Sequence, residues 1–563
     1  MLLLNLNLLA TAPGGVARLR ELILTLAVQG KLVAQDPSDE PARELLKKIR
    51  AEKDGLIAAG KIKRDKPLAE ITEEEKPFGL PVGWEWVRAL DICALITDGD
   101  HQPPPKAETG VPFLVIGDVR TGEVHLQGAS RFVPESYFEA LDWGKKPCLG
   151  DVLYTTVGSF GIPVPIVQQQ RFCFQRHIAL FRPAAVKLQS FLALALRTKL
   201  AFQQAEKGAT GIAQKTVPLS ALRDLMLPLP PLAEQSRIVT RVEELMRLCD
   251  ALDAKGQLEA AQHAQLVSTL LGTLTDSESP EQLADNWQRV ASHFDLLLDR
   301  PQAVDALEQT ILQLAVRGLL VPQDPQDEPA SELLKKLRAE KDRLIAQGQI
   351  KRDKPLPPIA EDELPFALPM GWEWVRLDSI FQVITDGDHL PPPVSEAGIA
   401  FLTIGNISSG ALSFNGCRLV PQDYFDEIAA YRRPAKGDIL YTVVGASYGR
   451  AVIVETDRPF CVQRHIGILK PSVQINLHYL ASLLGSQLIY EQATLSLTGT
   501  AQPTVGIRPL RNFLAPLPPL AEQSRIVTRV AQLRRLCADL RQHLSASQST
   551  QAHLAKALVE NVG

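Results

Sequence analysis

LAVQGKLVAQDPSDEPARELLKKIRAEKDGLIAAGKIKRDKPL, beginning at Leu26, returns as LAVRGLLVPQDPQDEPASELLKKLRAEKDRLIAQGQIKRDKPL, beginning at Leu314. PVGWEWVR at Pro81 comes back as PMGWEWVR at Pro369, and ITDGDHQPPP at Ile96 as ITDGDHLPPP at Ile384. LPPLAEQSRIVTRV at Leu229 recurs unchanged at Leu517. Between 19–105 and 307–393, roughly 60 of 87 positions are identical,. The period far exceeds the ~20–50 residues of a solenoid repeat, so a whole module is written twice. A pseudo-twofold object of this kind can read two copies of something, or one thing with two halves.

Composition narrows the class. The chain has 563 residues, enough for several cores, and 45% of them are hydrophobic, which excludes wholesale disorder,. With 60 Lys and Arg against 64 Asp and Glu it is no polycationic nucleic-acid coat, although a local basic face is open to it,. Seven cysteines without a C-x-x-C pair argue against a zinc ribbon or disulfide framework and for reduced thiols in a cytoplasmic protein,. The opening MLLLNLNLLATA has no basic n-region before Arg18, which disfavours a secretory signal,.

Each copy changes texture three times. Leu19, Leu22, Ile23 and Leu26 share a helical face that stops at Gly30,. A second helix is expected from about Glu40 to Gly60, with Leu45, Leu46 and Ile49 inward and Lys47, Lys48, Arg50 and Lys53 outward,. The segments 84–226 and 372–514 read as short β-branched and aromatic strands interrupted by one helix, LQSFLALALRTKLAFQQAEKG in the first copy,. A long helix follows PLPPLAEQ. On it Ile238, Val242, Leu245, Cys249 and Leu252, and likewise Ile526, Val530, Leu533, Cys537 and Leu540, form an a/d seam of about two heptads,. Pairing of the two seams as an antiparallel coiled coil is the expectation; packing of each on its own module is the alternative. The predicted fold is thus α+β: two tandem α+β domains separated by long helices in a pseudo-twofold repeat. The expected boundaries are 1–80 helical, 81–230 first α+β domain, 231–368 central helical, 369–518 second α+β domain and 519–563 final helix.

The sequence lacks a phosphate-binding P-loop, a strand–G-x-G-x-x-G–helix, H-E-x-x-H, the deaminase zinc signature and G-x-S-x-G,. Together these absences favour a binding module over an enzyme, and no metal-ligand spacing stands out. Polar loops are present instead. Thr97, Asp98, Asp100 and His101, with Thr385, Asp386, Asp388 and His389, offer donors and acceptors suited to base edges; an Asx-type turn is the alternative,. Ser159 lies in the Gly-flanked turn VGSFG, and Ser447 and Tyr448 in VGASYG, which also fit ordinary hairpins,. Arg176 and His177, with Arg464 and His465, are expected mid-strand, where charge implies either function or a buried ion pair. Gln214, Lys215 and Thr216, with Gln502 and Thr504, combine base-reading and phosphate-contacting side chains on flexible loops,. From 151 to 226 there are nine Lys and Arg against three acids; from 438 to 514, six against four,.

Two units opening with L-P-x-G-W-x-W and closing with G-x-A-Q-x-T-V, P-L-P-P-L-A-E-Q-x-x-I-V and a helix containing R-L-C-x-x-L resemble the specificity (S) subunit of Type I restriction–modification enzymes. The resemblance covers about residues 14–560. It implies two target recognition domains that read a bipartite duplex DNA site, and helical spacers that dock two modification (M) subunits, joined by restriction (R) subunits. It implies no catalysis and no cofactor in this chain, with S-adenosylmethionine in the M subunits and ATP and Mg in the R subunits. A self-sufficient methyltransferase or nuclease with degenerate motifs, or a protein-binding scaffold, are the competing readings. The likeness of FLVIGDV to FLTIGNI, and of QRHIAL to QRHIGI, predicts related, inverted half-sites. Lys106 against Val394, Arg120 against Ser408 and Lys215 against Pro503 are places for a changed base preference. A heptad inserted near Cys249 is expected to lengthen the unread gap.

Overall fold

The computed structural model describes residues 6–560 apart from 100, 102, 103, 212, 213, 353, 390, 391, 446, 500 and 501. The chain forms two compact units: residues 1–259 with 548–563, and residues 260–547.

In the first unit a short helix (Leu6–Thr11) precedes the opening helix of the repeat (Gly15–Val28), which buries Leu22, Ile23, Ala27 and Val28 and ends at Gly30. Gly30 has φ +69°, and a Cβ there would lie 2.4 Å from the Pro81 ring, so both its conformation and its contact demand glycine,. The second helix (Ala42–Ala58) buries Ala42, Leu45 and Ile49. Lys53, expected outward, instead donates from Nζ to the Leu90 carbonyl at 2.7 Å. That bond suits a lysine whose stem lies along apolar surface while its head finds an acceptor.

The α+β part begins and ends on a two-stranded antiparallel ribbon, β1 (Glu85–Arg88) with β9 (Met226–Leu229), in which Glu85 faces Leu229. Inside it lie β2 (Cys93–Asp98), β3 (Val111–Leu114), β4 (Phe132–Val133), β5 (Val152–Thr155), β6 (Pro163–Pro165), β7 (Cys173–Phe174) and β8 (Ile178–Pro183). One sheet has the order β2-β8-β5-β6, all antiparallel; the other is β4-β3-β7, with β3 and β7 parallel. The expected single run FCFQRHIALF is therefore two strands in two sheets, and Gln175–His177 is the turn between them, closed by Ile178 N–H to Gln175 O at 3.0 Å. This corrects the mid-strand placement of Arg176 and His177: the chain changes sheet there, so the charges sit outside any strand. The expected single helix also divides, into Gln189–Leu196 and Lys199–Gly208. Thr198 caps the second piece, its Oγ1 accepting from Ala201 N–H at 3.3 Å and donating to Ala195 O at 2.6 Å,.

The second unit repeats this plan. The ribbon is β10 (Glu373–Arg376) with β18 (Leu514–Leu517). The sheets are β11 (Phe381–Asp386), β17 (Ile466–Pro471), β14 (Ile439–Thr442), β15 (Ala451–Ile453), and β13 (Arg418–Val420), β12 (Ile399–Leu402), β16 (Phe460–Val462), in those orders. Ser486 divides the corresponding helix into Leu477–Leu484 and Gln487–Leu495.

The first long helix (Leu232–Thr275) and the second (Leu520–Glu560) each cross the division between the units. In the first unit Ile238, Val242 and Cys249 are buried, with Leu245 and Leu252 against them, in a core shared with Val16, Leu19 and Ile23 of the opening helix. Arg20 fixes that packing through Asp250 and Asp253, both at 2.8 Å. In the second unit Ile526, Val530, Leu533, Cys537 and Leu540 share a cluster with Leu307 and Ile311 of the helix Pro301–Val316. So at these positions each seam is filled by its own module's helix. Val267, Leu271 and Leu274 of the first long helix join that second cluster, which also takes in Leu540 and Leu544 of the second long helix. Between these packed stretches, residues 253–262 of the first long helix are exposed. No helix among the described residues is long and apolar enough to cross a membrane.

Candidate nucleic-acid interface

Strand order decides where the polar loops go. β2 and β5 both run antiparallel to β8, so the end of β2, the start of β8 and the end of β5 lie on one rim. Thr97 and Asp98 end β2, Arg176 and His177 precede β8, and Ser159 lies in the turn after β5. Thr156 N–H donates to His177 O at 3.0 Å, Gly158 N–H to Lys215 O at 3.3 Å and Val217 N–H to Thr156 O at 2.8 Å. The loop bearing Gln214, Lys215 and Thr216 is thereby zipped to the Ser159 turn. Gly99 presses on the other side: a Cβ there would lie 2.0 Å from Phe174 O. Four loops far apart in sequence thus form one polar edge.

The second unit builds the same edge. Arg464 N–H donates to Asp388 O at 2.9 Å, Val443 N–H to His465 O at 3.1 Å, and Gly445 N–H to Pro503 O at 3.0 Å. Thr385 and Asp386 end β11, Ser447 and Tyr448 lie in the turn after β14, and Gln502 and Thr504 occupy the zipped loop.

The side chains divide into reaching and holding groups. Arg176, Gln214 and Lys215 are exposed, as is Arg464. Lys215 also pairs with Glu206 at 2.9 Å. Asp98 and His101 lie 2.9 Å apart, as do Asp386 and His389, so each loop is braced from within. Asp386 is further held by Arg432 at 3.4 Å, and the Asp388 carboxylate accepts from Tyr424 OH and from the His389 amide. These bonds are the loop-shaping role weighed for the aspartates. Asp100 lies outside the described residues. Burial and the adjacent Arg176 charge hold His177 below the ordinary imidazole value, and burial and Arg464 do the same for His465. Both shifts favour the uncharged ring,. Tyr448 stacks on Tyr490 with centroids 5.1 Å apart, as Phe160 does on Phe202 at 5.3 Å.

The basic excess of 151–226 is partly structural. Arg182 is buried against Asp151 at 2.7 Å, and Arg223 donates to Ile96 O at 2.9 Å. Arg171 pairs with Glu135 and Glu139, and Lys199 with Glu21. Arg432 and Tyr424 were not singled out in the sequence, because their partners come from 36 or more residues away. Nor was the role of Glu234 and Glu522, whose only sign was the unchanged LPPLAEQ. Each is 1% exposed and accepts from an indole N–H, of Trp84 and Trp372, at 2.9 Å. Among the described residues no group of three His, Cys, Asp or Glu is placed to hold a metal ion.

A family model described as the Type I restriction modification DNA specificity domain matches residues 81–262 and 369–547. The chain belongs to this Type I restriction–modification specificity family. It is 37% identical over 574 residues to the Type I restriction enzyme EcoAI specificity subunit of Escherichia coli, covering 97% of this chain and 93% of that one. It is 36% identical over 581 residues to the EcoEI specificity subunit of the same organism, with the same coverages. A solved chain described under complex assembly and conformational transition of the type I R-M system covers 86% of this chain and 99% of its own, at 19% identity and TM-score 0.43.

Proposed function

We propose that the chain is the DNA-specificity subunit of a Type I restriction–modification complex, with each unit reading one half of a bipartite duplex site. The observation that carries this is the gathering of the same four polar loops on one rim in two duplicated units. Rims of this kind present exposed Arg, Gln and Lys side chains to base edges and phosphates. The long helices and the helices packed on them dock two modification subunits, to which restriction subunits add. The chain itself performs no catalysis and holds no cofactor: S-adenosylmethionine serves the modification subunits, and ATP with Mg the restriction subunits. The complex works in the cytoplasm, where its DNA is.

The test is a base-resolution methylome of the host with and without this chain. One gapped motif carrying N6-methyladenine on both strands disappears on deletion, and its two halves are related as inverted sequences. An unchanged methylome in a host whose modification subunits are active would refute the role. Binding of S-adenosylmethionine to the isolated chain would instead favour a self-sufficient methyltransferase.

Arg176 makes a sharper expectation. Arg176→Ala should relax or weaken one half-site by about 1–3 kcal/mol and leave the other unchanged. Binding to duplexes varied in one half at a time reads this directly. Loss of soluble complex would show that Arg176 is structural.

A further inference from the structure

We propose that Glu234 and Glu522 are positioning residues that set the number of unread base pairs, by fixing the angle at which each recognition unit leaves its long helix. This rests on the specificity-subunit reading above.

Three parts of each unit meet at this carboxylate. Glu234 lies in the first turn of the long helix, Trp84 at the threshold of the recognition part, and Gln35 just beyond the opening helix. Oε2 accepts from Trp84 Nε1 at 2.9 Å, and Oε1 accepts from Gln35 Nε2 at 3.1 Å. Gln35 Nε2 also donates to Gly30 O at 2.6 Å, at the glycine that packs on Pro81 and Trp84. One turn further along, Arg237 pairs with Asp39 at 2.6 Å. The second unit repeats every element: Trp372 to Glu522 at 2.9 Å, Gln323 to Glu522 at 3.0 Å, Gln323 to Gly318 O at 2.7 Å and Arg525 to Asp327 at 2.6 Å.

A carboxylate suits the site. Indole N–H and the glutamine amide both arrive as donors, and each takes its own oxygen,. Buried and doubly bonded, it resists tilt between the helix and the recognition part. The tolerance is small. A tilt of about 10° on a lever of roughly 20 Å, the length of a six-residue strand, moves the rim by about 3.5 Å. That is one base-pair step, about 3.4 Å. Helix length sets the coarse separation, and this joint sets it to the base pair.

Glu234→Gln keeps shape and volume but turns an amide donor toward one of the two donors. With the complete complex, the methylome should keep both half-site sequences. Sites whose gap is one base pair longer or shorter should rise at least tenfold in methylated fraction. A merely structural loss would lower methylation at all sites without moving the gap distribution. Trp84→Phe, which keeps the packing and removes the donor, should broaden the gap in the same way if Glu234→Gln fails to assemble. A single unchanged gap in both variants overturns the proposal. A wild-type chain that directs no gapped motif at all overturns the specificity reading beneath it.

Discussion

Seven helix-favouring residues inserted between Gly256 and Gln257, and seven more between Ala546 and Ser547, should abolish methylation of the original motif and create a motif with a longer gap. Both long helices cross from one unit to the other, so both must lengthen together. A heptad adds ~10.5 Å at 1.5 Å per residue, about three base-pair steps, and turns the helix face by only about 20°. Three base pairs also turn the duplex by roughly 100°, so binding should weaken while the halves stay the same. The 44-residue first helix spans at most about 66 Å, so the mapped half-sites are expected to lie less than two turns of DNA apart,. The site of insertion matters. Near Cys249 the seam is packed on the opening helix and pinned by Arg20, so an insertion there would shear the unit's own core. Residues 253–262 are exposed and accept one. Altered half-sites with an unchanged gap would refute the ruler.

Arg182→Ala should be the most damaging single substitution in the first recognition unit, costing about 3–5 kcal/mol. The guanidinium bonds both oxygens of Asp151, at 2.8 and 2.7 Å, donates to the carbonyls of Trp143 and Lys146, and lies 4.2 Å from the Trp143 ring centre. Its removal leaves the carboxylate of Asp151, 2% exposed, with the Cys148 amide but without its guanidinium partner. Against a typical domain stability of about 5–15 kcal/mol that is a large fraction. Urea unfolding of the complex should show the first unit melting early while the second stays native. The second unit makes the same joint from Lys470 and Asp438, so Arg182→Lys should recover the charge pairing but not the ring contact,. A shift below about 0.5 kcal/mol for Arg182→Ala would contradict this account.

The repeat and the amphipathic helices were legible because their signals are local: identity at a fixed offset, and apolar residues at three- and four-residue spacing. Leu45 and Ile49 are buried as their spacing requires. What escaped depends on contacts distant in sequence. QRH looked like strand because both neighbours are β-rich, and only the change of sheet between Phe174 and Ile178 makes it a turn. The run around Arg197 and Thr198 looked like one helix because nothing in its periodicity breaks; the Thr198 cap breaks it. Spacing shows which face of the seam is apolar; that the opening helix packs against Ile238, Val242 and Cys249 depends on a contact distant in sequence. The polar loops were visible one by one, while their convergence follows from strand order. The part Glu234 plays depends on an indole 150 residues away, which no local pattern reveals.

The ribbons have a genetic consequence. Because Glu85 lies opposite Leu229, and Glu373 opposite Leu517, the chain enters and leaves each reading head at adjacent points. A head could therefore be exchanged between the two copies as a cassette, with both crossovers in flanks that are nearly identical in the two halves of this chain. One recombination event would then rewrite half of the target while the frame and the long helices pass on unchanged.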